Sequence, residues 1–102
     1  CPPCRREMPV LQKAFLDHGD EVRFIGVNVQ DSASTIRSFV SDLGVTYDMV
    51  RDSNGALVVA NGISAFPTTL FVTASGRIVG QVSGELTATT IEREITELLT
   101  RP

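Results

Sequence analysis

Two cysteines at the start of the chain are the residues best suited to chemistry. Cys1 and Cys4 are separated by two residues, and no further cysteine follows them. Two thiols at this spacing can close a small disulfide ring. A thiolate at a helix N-terminus is stabilised by unpaired backbone N–H groups and by the helix dipole. Because Cys1 would stand at that position, we predict that its sulfur is the one that attacks.

The residues between the two cysteines are both prolines. Pro2 and Pro3 have no N–H group to donate to a Cys1 thiolate, and both suit the first turn of a helix. One alternative is half of a zinc site, but zinc needs about four ligands and only His18 and acidic residues are available besides the thiols. The other is an inert disulfide, which would constrain little of the unfolded chain because its loop is so short.

Length and composition predict one globular domain. The chain has 102 residues, 42% of them hydrophobic and 21% charged, which excludes a disordered or coiled-coil protein. Nine Lys and Arg against twelve Asp and Glu give a net charge of −3, which argues against a nucleic-acid binder. The longest uninterrupted apolar run, Ala56–Ala60, is far shorter than the roughly 20 residues of a membrane-spanning helix.

The hydrophobic pattern predicts the element order α, β, α, extended, α, β, β, α, and therefore an α/β fold. Residues 22–29 are mostly apolar and β-branched, so we expect a strand that is covered on both faces. The predicted helices are one over residues 4–18, one capped by Asp31 or Ser32 and ended by Gly44, a short one that starts at residues 52–55 and closes at 61–62, and a last one capped by Thr87 or Thr89. The other predicted elements are an extended piece over residues 45–50 and a hairpin whose strands are residues 68–73 and 77–82.

These motifs carry a resemblance to known proteins. The run Cys1-Pro2-Pro3-Cys4 opening a helix, Phe66-Pro67-Thr68-Thr69 opening a late hairpin, and the final amphipathic helix resemble the thioredoxin fold. The continuation Arg5-Arg6-Glu7-Met8-Pro9 resembles more narrowly the exported TlpA/ResA-like (DsbE-like) thiol-disulfide oxidoreductases, which include the cytochrome c maturation reductases. The resemblance implies a three-layer α/β/α sandwich with a mixed central sheet, formed by residues 1–102 as one domain.

The resemblance also implies a set of site residues. Glu7 follows Cys4 by three residues and so shares its stripe of the helix, where an acid could exchange a proton with the Cys4 thiol. The alternative for Glu7 is a first-turn acid favoured only by the helix dipole. Pro67 would begin a strand, and the resemblance implies a cis peptide bond there although only about 5% of X-Pro bonds are cis. The implied residues are Cys1, Cys4 and Glu7 for catalysis, and Pro3, Phe66, Pro67 and Thr68 for substrate binding.

These residues predict reduction of protein disulfides, with Cys1 attacking and Cys4 resolving the mixed disulfide. The resemblance implies that the protein works outside the cytoplasm. No cofactor is needed and no nucleic acid is involved. The resemblance implies protein clients such as apocytochrome c, a membrane thiol donor and an N-terminal membrane anchor outside these residues. Two alternatives stay open, a disulfide-donating oxidant and a redox-inert module that binds peptides along the Pro67 groove. A one-cysteine peroxidase would need Thr and Arg around a single thiol, which nothing in the sequence suggests.

A last expectation concerns the central sheet. In the thioredoxin fold, the strand that precedes the dithiol helix lies between the strands that match residues 22–29 and 68–73. Since the sequence begins at Cys1, we expect that strand to be missing and the chain to be an incomplete folding unit. The two flanking strands should then not be hydrogen-bonded to each other.

Overall fold

The computed structural model covers residues 1–102 and contains four helices and four strands. Their order is the predicted one, with the extended piece forming a strand. In chain order the elements are α1 (Pro2–His18), β1 (Ile25–Val29), α2 (Ala33–Leu43), β2 (Asp48–Asp52), α3 (Ala56–Ala60), β3 (Thr68–Val72), β4 (Ile78–Ser83) and α4 (Ala88–Leu99).

Local capping signals set the ends of α2 and α4. The Ser32 side chain accepts a hydrogen bond from the backbone N–H of Thr35, 3.2 Å away, and Thr87 does the same for Thr90. Helix α2 ends at Gly44, whose φ of 68° lies in the left-handed region that favours glycine. The predicted caps Ser32 and Thr87 are therefore confirmed.

Helix α1 begins earlier than predicted. It starts at Pro2, with Cys1 as its N-cap, because a proline is compatible with the first helical turn. The helix continues through Pro9 to His18. With 17 residues it is the longest helix, and no helix of the protein is both long enough and apolar enough to cross a membrane.

The strands form two separate sheets of two strands each. Strand β1 runs parallel to β2, and β3 runs antiparallel to β4. No ladder joins β1 to β3. The expectation that the strands in residues 22–29 and 68–73 are not hydrogen-bonded to each other is confirmed.

The core is built around α1. One cluster of buried side chains joins α1 to α4, and a second joins α1 to α2 and to the residues that lead into β2. Phe15 and Phe24 pack edge to face beside the second cluster, with ring centroids 5.6 Å apart. The buried members are Ala14, Leu86, Ile91 and Ile95 in the first cluster and Met8, Val45 and Tyr47 in the second.

The expectation that residues 22–29 form a strand covered on both faces is wrong. Strand β1 begins only at Ile25, and the side chains of Ile25 and Val27 are 48% and 46% exposed. Val50, which pairs with Val27 on β2, is exposed as well. The helices bury the opposite face, from which Phe24 and Met49 pack against the second core cluster.

Candidate active site

The two cysteines are joined at the N-terminus of α1. Cys1 and Cys4 form a disulfide with their Cα atoms 5.3 Å apart. Cys1 is exposed, whereas Cys4 in the first turn is half-buried. Pro3, half-buried, lies between them. Cys1 is thus the more exposed of the two cysteines.

The two arginines that follow the cysteines have partners of their own. The Arg5 guanidinium lies over the ring of Phe39 on α2, 5.0 Å from its centroid. Arg6 donates from Nε and Nη2 to Oε1 of Glu85, at 3.0 and 2.8 Å. Both side chains are thus directed by neighbouring elements of the fold, one by α2 and the other by the segment after β4.

Glu7 is a buried acid. Its residue is 4% exposed, and its Oε1 accepts a hydrogen bond from the backbone N–H of Leu86 at 2.8 Å. Burial raises the pKa of Glu7, the hydrogen bond from Leu86 opposes this rise, and the negative charge of Glu85 adds to it. Glu7 therefore lies inside the protein, on the stripe that it shares with Cys4.

Tyr47 is a neighbour of Glu7 that the sequence does not single out. Burial raises the pKa of Tyr47 to about 12, and the charge of Glu7 contributes to the rise. The phenol is consequently neutral at any physiological pH.

The Pro67 loop has the predicted backbone conformation. The Phe66–Pro67 peptide bond is cis, which confirms that expectation. Pro67 is buried just before β3, and its carbonyl oxygen accepts a hydrogen bond from the Gly84 N–H at 2.8 Å. The Thr68 hydroxyl donates to the Ala65 carbonyl at 2.6 Å. Phe66 is 54% exposed, so its ring is not a core side chain and is available for contact with another molecule.

One short segment connects the dithiol helix to the Pro67 loop. Residues 84–86 follow β4 and contact both parts of the site. Gly84 has a φ of 100°, a backbone conformation that favours glycine. In this conformation its N–H group donates to the Pro67 carbonyl. The three links are Gly84 to Pro67, Glu85 to Arg6, and Leu86 to Glu7.

The sequence does not single out this segment as part of the site, although one signal points to it. Leu86 directly precedes the N-cap Thr87, and it packs with Ile91 in the first core cluster. A hydrophobic residue before an N-cap that contacts the fourth helical residue is a hydrophobic staple, which fixes how the chain enters a helix. That pattern predicts a fixed Leu86 backbone but not its contact with Glu7.

His18 lies at the other end of α1, away from the dithiol. Its Nε2 is 2.8 Å from Oε2 of Glu92 on α4, and its Nδ1 is 3.9 Å from Oε2 of Glu21. The structure thus gives His18 a place in the contact between α1 and α4.

Comparisons with known proteins agree with this geometry. Residues 1–81 match the model of the AhpC/TSA family. The chain is 34% identical to the thiol-disulfide oxidoreductase ResA of Halalkalibacterium halodurans over 100 residues, which are 97% of this chain and 56% of that protein. It is 31% identical to ResA of Bacillus subtilis over 94 residues, 89% of this chain and 51% of that protein. The chain therefore spans about half the length of these curated relatives.

Solved structures show the same fold. StoA from Bacillus subtilis superimposes with a TM-score of 0.82 at 27% identity, covering 93% of this chain and 74% of that chain. The structure of MTB dsbF in mixed oxidized and reduced forms superimposes with a TM-score of 0.87 at 28% identity, covering 96% and 72%. The predicted thioredoxin-like fold is confirmed.

Proposed function

The chain belongs to the AhpC/TSA family, and from the geometry of its dithiol we propose that it is a protein thiol-disulfide oxidoreductase that works as a reductant. The observation that carries this proposal is the Cys1–Cys4 disulfide at the start of α1, one helical turn from a buried carboxyl group. The similarity to proteins named thiol-disulfide oxidoreductase supports it.

The reaction starts from the reduced cysteine pair. The Cys1 thiolate attacks one sulfur of a substrate disulfide, a mixed disulfide forms, and the other substrate sulfur leaves as a thiolate that takes a proton from water. The Cys4 thiol then gives its proton to the Glu7 carboxylate, and the Cys4 thiolate attacks the Cys1 sulfur. This closes the Cys1–Cys4 disulfide and releases the second substrate sulfur. Two electrons have passed from the cysteine pair to the substrate.

The Pro67 loop would hold the substrate during both steps. The backbone beside Pro67 pairs with an extended segment of the client, as in strand addition. The exposed ring of Phe66 supplies apolar contact. We propose Pro3 and Thr68 as further residues that contact the substrate. The support for these roles is the exposure of Phe66 and the position of the loop at the start of β3.

We propose exported proteins with disulfides, such as apocytochrome c, as clients. The dithiol would be restored by a membrane thiol donor, and the protein would work outside the cytoplasm, held by an N-terminal anchor. These proposals rest on the resemblance of the Cys1–Pro9 motif to the TlpA/ResA-like proteins.

Two measurements test the proposal. Cys1→Ser should abolish reduction of insulin disulfides, while Cys4→Ser should accumulate mixed disulfides with the substrate. Full turnover by the Cys1 variant would contradict the mechanism. The reduction potential of the pair decides the direction, because a value near the −270 mV of thioredoxin indicates a reductant and one near about −120 mV an oxidant. Peptide binding that survives replacement of both cysteines by Ala, without any reductase activity of the intact protein, would instead indicate a binding module.

A further inference from the structure

We propose that the Arg6–Glu85 ion pair is a positioning pair, which holds the backbone N–H of Leu86 on the carboxyl group of Glu7 for proton exchange with Cys4. The inference deepens the proposed function, and it rests on that function for the proton transfer from Cys4 to Glu7. It gives a role to the segment after β4, which belongs neither to the cysteine motif nor to the Pro67 loop.

The Arg6–Glu85 ion pair is formed by two hydrogen bonds at the protein surface. Two donors of one guanidinium, Nε and Nη2 of Arg6, converge on a single oxygen of Glu85 at 3.0 and 2.8 Å. The two side chains are 62% and 37% exposed. Arg6 directly precedes Glu7, and Glu85 directly precedes Leu86. The ion pair and the buried hydrogen bond are therefore two successive links between the same two segments.

The order of these residues explains how a surface pair can act on a buried bond. The Leu86 N–H belongs to the peptide plane whose carbonyl comes from Glu85. Fixing the Glu85 side chain restricts the rotation of that plane. The Leu86 side chain, packed between α1 and α4, fixes the far side of the same residue. The Gly84 N–H, bonded to the Pro67 carbonyl at 2.8 Å, fixes the residue before it. Glu85 is the one residue of the segment held only through its side chain.

The charged groups around Glu7 show why the orientation of this N–H matters. Glu85 is a like charge that disfavours an ionised Glu7, and Tyr47 is a neutral phenol in a buried setting. Arg6 is directed outward to Glu85, and Cys4 is the thiol on the same stripe of α1. The Leu86 N–H is thus the hydrogen-bond donor that stabilises the Glu7 carboxylate, the form that can accept the Cys4 proton.

Arg5 provides a matched control. It neighbours Arg6 and carries the same charge, but its guanidinium lies over Phe39 and makes no contact with Glu85. Arg6→Ala and Arg5→Ala therefore remove equal charge from adjacent positions of α1. Only Arg6→Ala removes the contact with the segment after β4.

The experiment follows the Leu86 amide proton by NMR in the full 102-residue chain with its disulfide closed, as the pH is varied. In the wild type the chemical shift of this proton should follow the titration of Glu7, because the amide is hydrogen-bonded to that carboxyl group. Arg6→Ala should shift the amide resonance toward that of a weaker hydrogen bond. It should also raise the titration midpoint by about half a pH unit, the size expected for an exposed ion pair. Arg5→Ala should leave both unchanged.

A second variant separates position from charge. Glu85→Gln keeps an oxygen that can accept from Arg6 but removes the negative charge, so the Leu86 resonance should stay while the titration midpoint of Glu7 falls. The proposal would be overturned if the pH dependence of the Leu86 amide shift were the same in Arg6→Ala as in the wild type. It would also be overturned if both arginine variants moved the midpoint equally. The titration needs no substrate, so the two experiments can give different outcomes. If Arg6→Ala leaves the titration unchanged while the protein reduces insulin, only the role of the ion pair is wrong. If the titration changes as expected but the protein does not reduce insulin, the proposed function is wrong.

Discussion

The Oε1 atom of Glu7 lies 2.8 Å from the backbone nitrogen of Leu86, a residue 79 positions later in the chain. This bond supplies a partner to a carboxyl group that the core would otherwise leave without one. It favours the ionised carboxylate, whereas burial and the charge of Glu85 favour the neutral acid. Burial is the largest of the three effects, so the pKa of Glu7 is raised.

The raised pKa predicts how Glu7 affects stability. The folded protein binds the Glu7 proton more tightly than the unfolded chain does, so protonated Glu7 adds to the free energy of unfolding. This contribution is fully present below the ordinary pKa of 4.5 and is lost as the pH rises through the pKa of Glu7 in the folded protein. Glu7→Gln keeps an acceptor for Leu86 and cannot ionise. The free energy of unfolding of the variant, relative to wild type, should therefore increase between about pH 4 and about pH 7. Urea denaturation at both values measures this.

Glu97→Gln is the control for that series, because Glu97 is an exposed acid paired with Arg101. It should change stability by less than about 1 kcal/mol, with little dependence on pH. A Glu7→Gln variant that loses stability relative to wild type as the pH rises would show that the buried carboxylate is favourable.

The same substitution predicts a kinetic effect. Without the carboxylate, the Cys4 thiol has no internal base, so resolution of the mixed disulfide should slow by on the order of 100-fold, the usual size of such a contribution. Formation of the mixed disulfide by Cys1 should change much less. Rapid-mixing experiments that follow the two steps separately provide the measurement. Equal slowing of both steps would show that Glu7 has no specific role toward Cys4.

The helices and the hairpin could be predicted because their signals are local. Ser32 and Gly44 lie at the two ends of α2, and each acts on backbone groups within a few residues of itself. The dithiol of Cys1 and Cys4 is equally local, since both thiols lie in one turn. Such features depend on short stretches of sequence and little on the rest of the fold.

The bond between Glu7 and Leu86 could not be predicted in the same way. It joins a helix to a loop 79 residues away, and it uses a backbone N–H, which leaves no side-chain signature in the sequence. The exposure of Val27 was unpredictable for a related reason. A β-branched run shows that a strand can be buried, but it does not show which of its faces finds a partner.

Asp52 predicts a second stability effect. This buried carboxylate at the end of β2 accepts hydrogen bonds from the N–H groups of Leu57 and Val58, at 3.0 and 3.3 Å, and so caps the short helix α3. Asp52→Ala should lower the free energy of unfolding by about 1 to 2 kcal/mol. Asp52→Asn, which retains an acceptor oxygen, should lose less in the same urea titration. Equal losses in the two variants would show that the cap is not the main role of Asp52.

His18, at the C-terminal end of α1, predicts a pH dependence of the protein's stability. Its hydrogen bond with Glu92 is the main cause that raises the pKa of His18. Protonated His18 therefore stabilises the fold below the ordinary pKa of 6.5, and this stabilisation is lost as the pH rises through the folded value. The melting temperature of wild type should exceed that of His18→Gln by more at about pH 5.5 than at about pH 8.5. Glu92→Gln should remove most of this difference, and a gap that is constant with pH would contradict the assignment.

The unpaired edges of β1 and β3 lead to the last prediction. Each strand is hydrogen-bonded on one side only, β1 to β2 and β3 to β4, so each has an edge of N–H and C=O groups without a strand partner. Such edges normally pair with another strand or are covered. We propose that a further extended segment lies between β1 and β3 in the intact folding unit. In the 102-residue polypeptide alone, amide protons on these two edges should exchange with solvent much faster than those inside the β1–β2 and β3–β4 ladders. Hydrogen exchange followed by NMR measures each amide, and the Leu86 amide, buried on Glu7, is an internal standard for slow exchange. Equal protection of both edges and both ladders would show that β1 and β3 close on each other, and that no segment is needed between them.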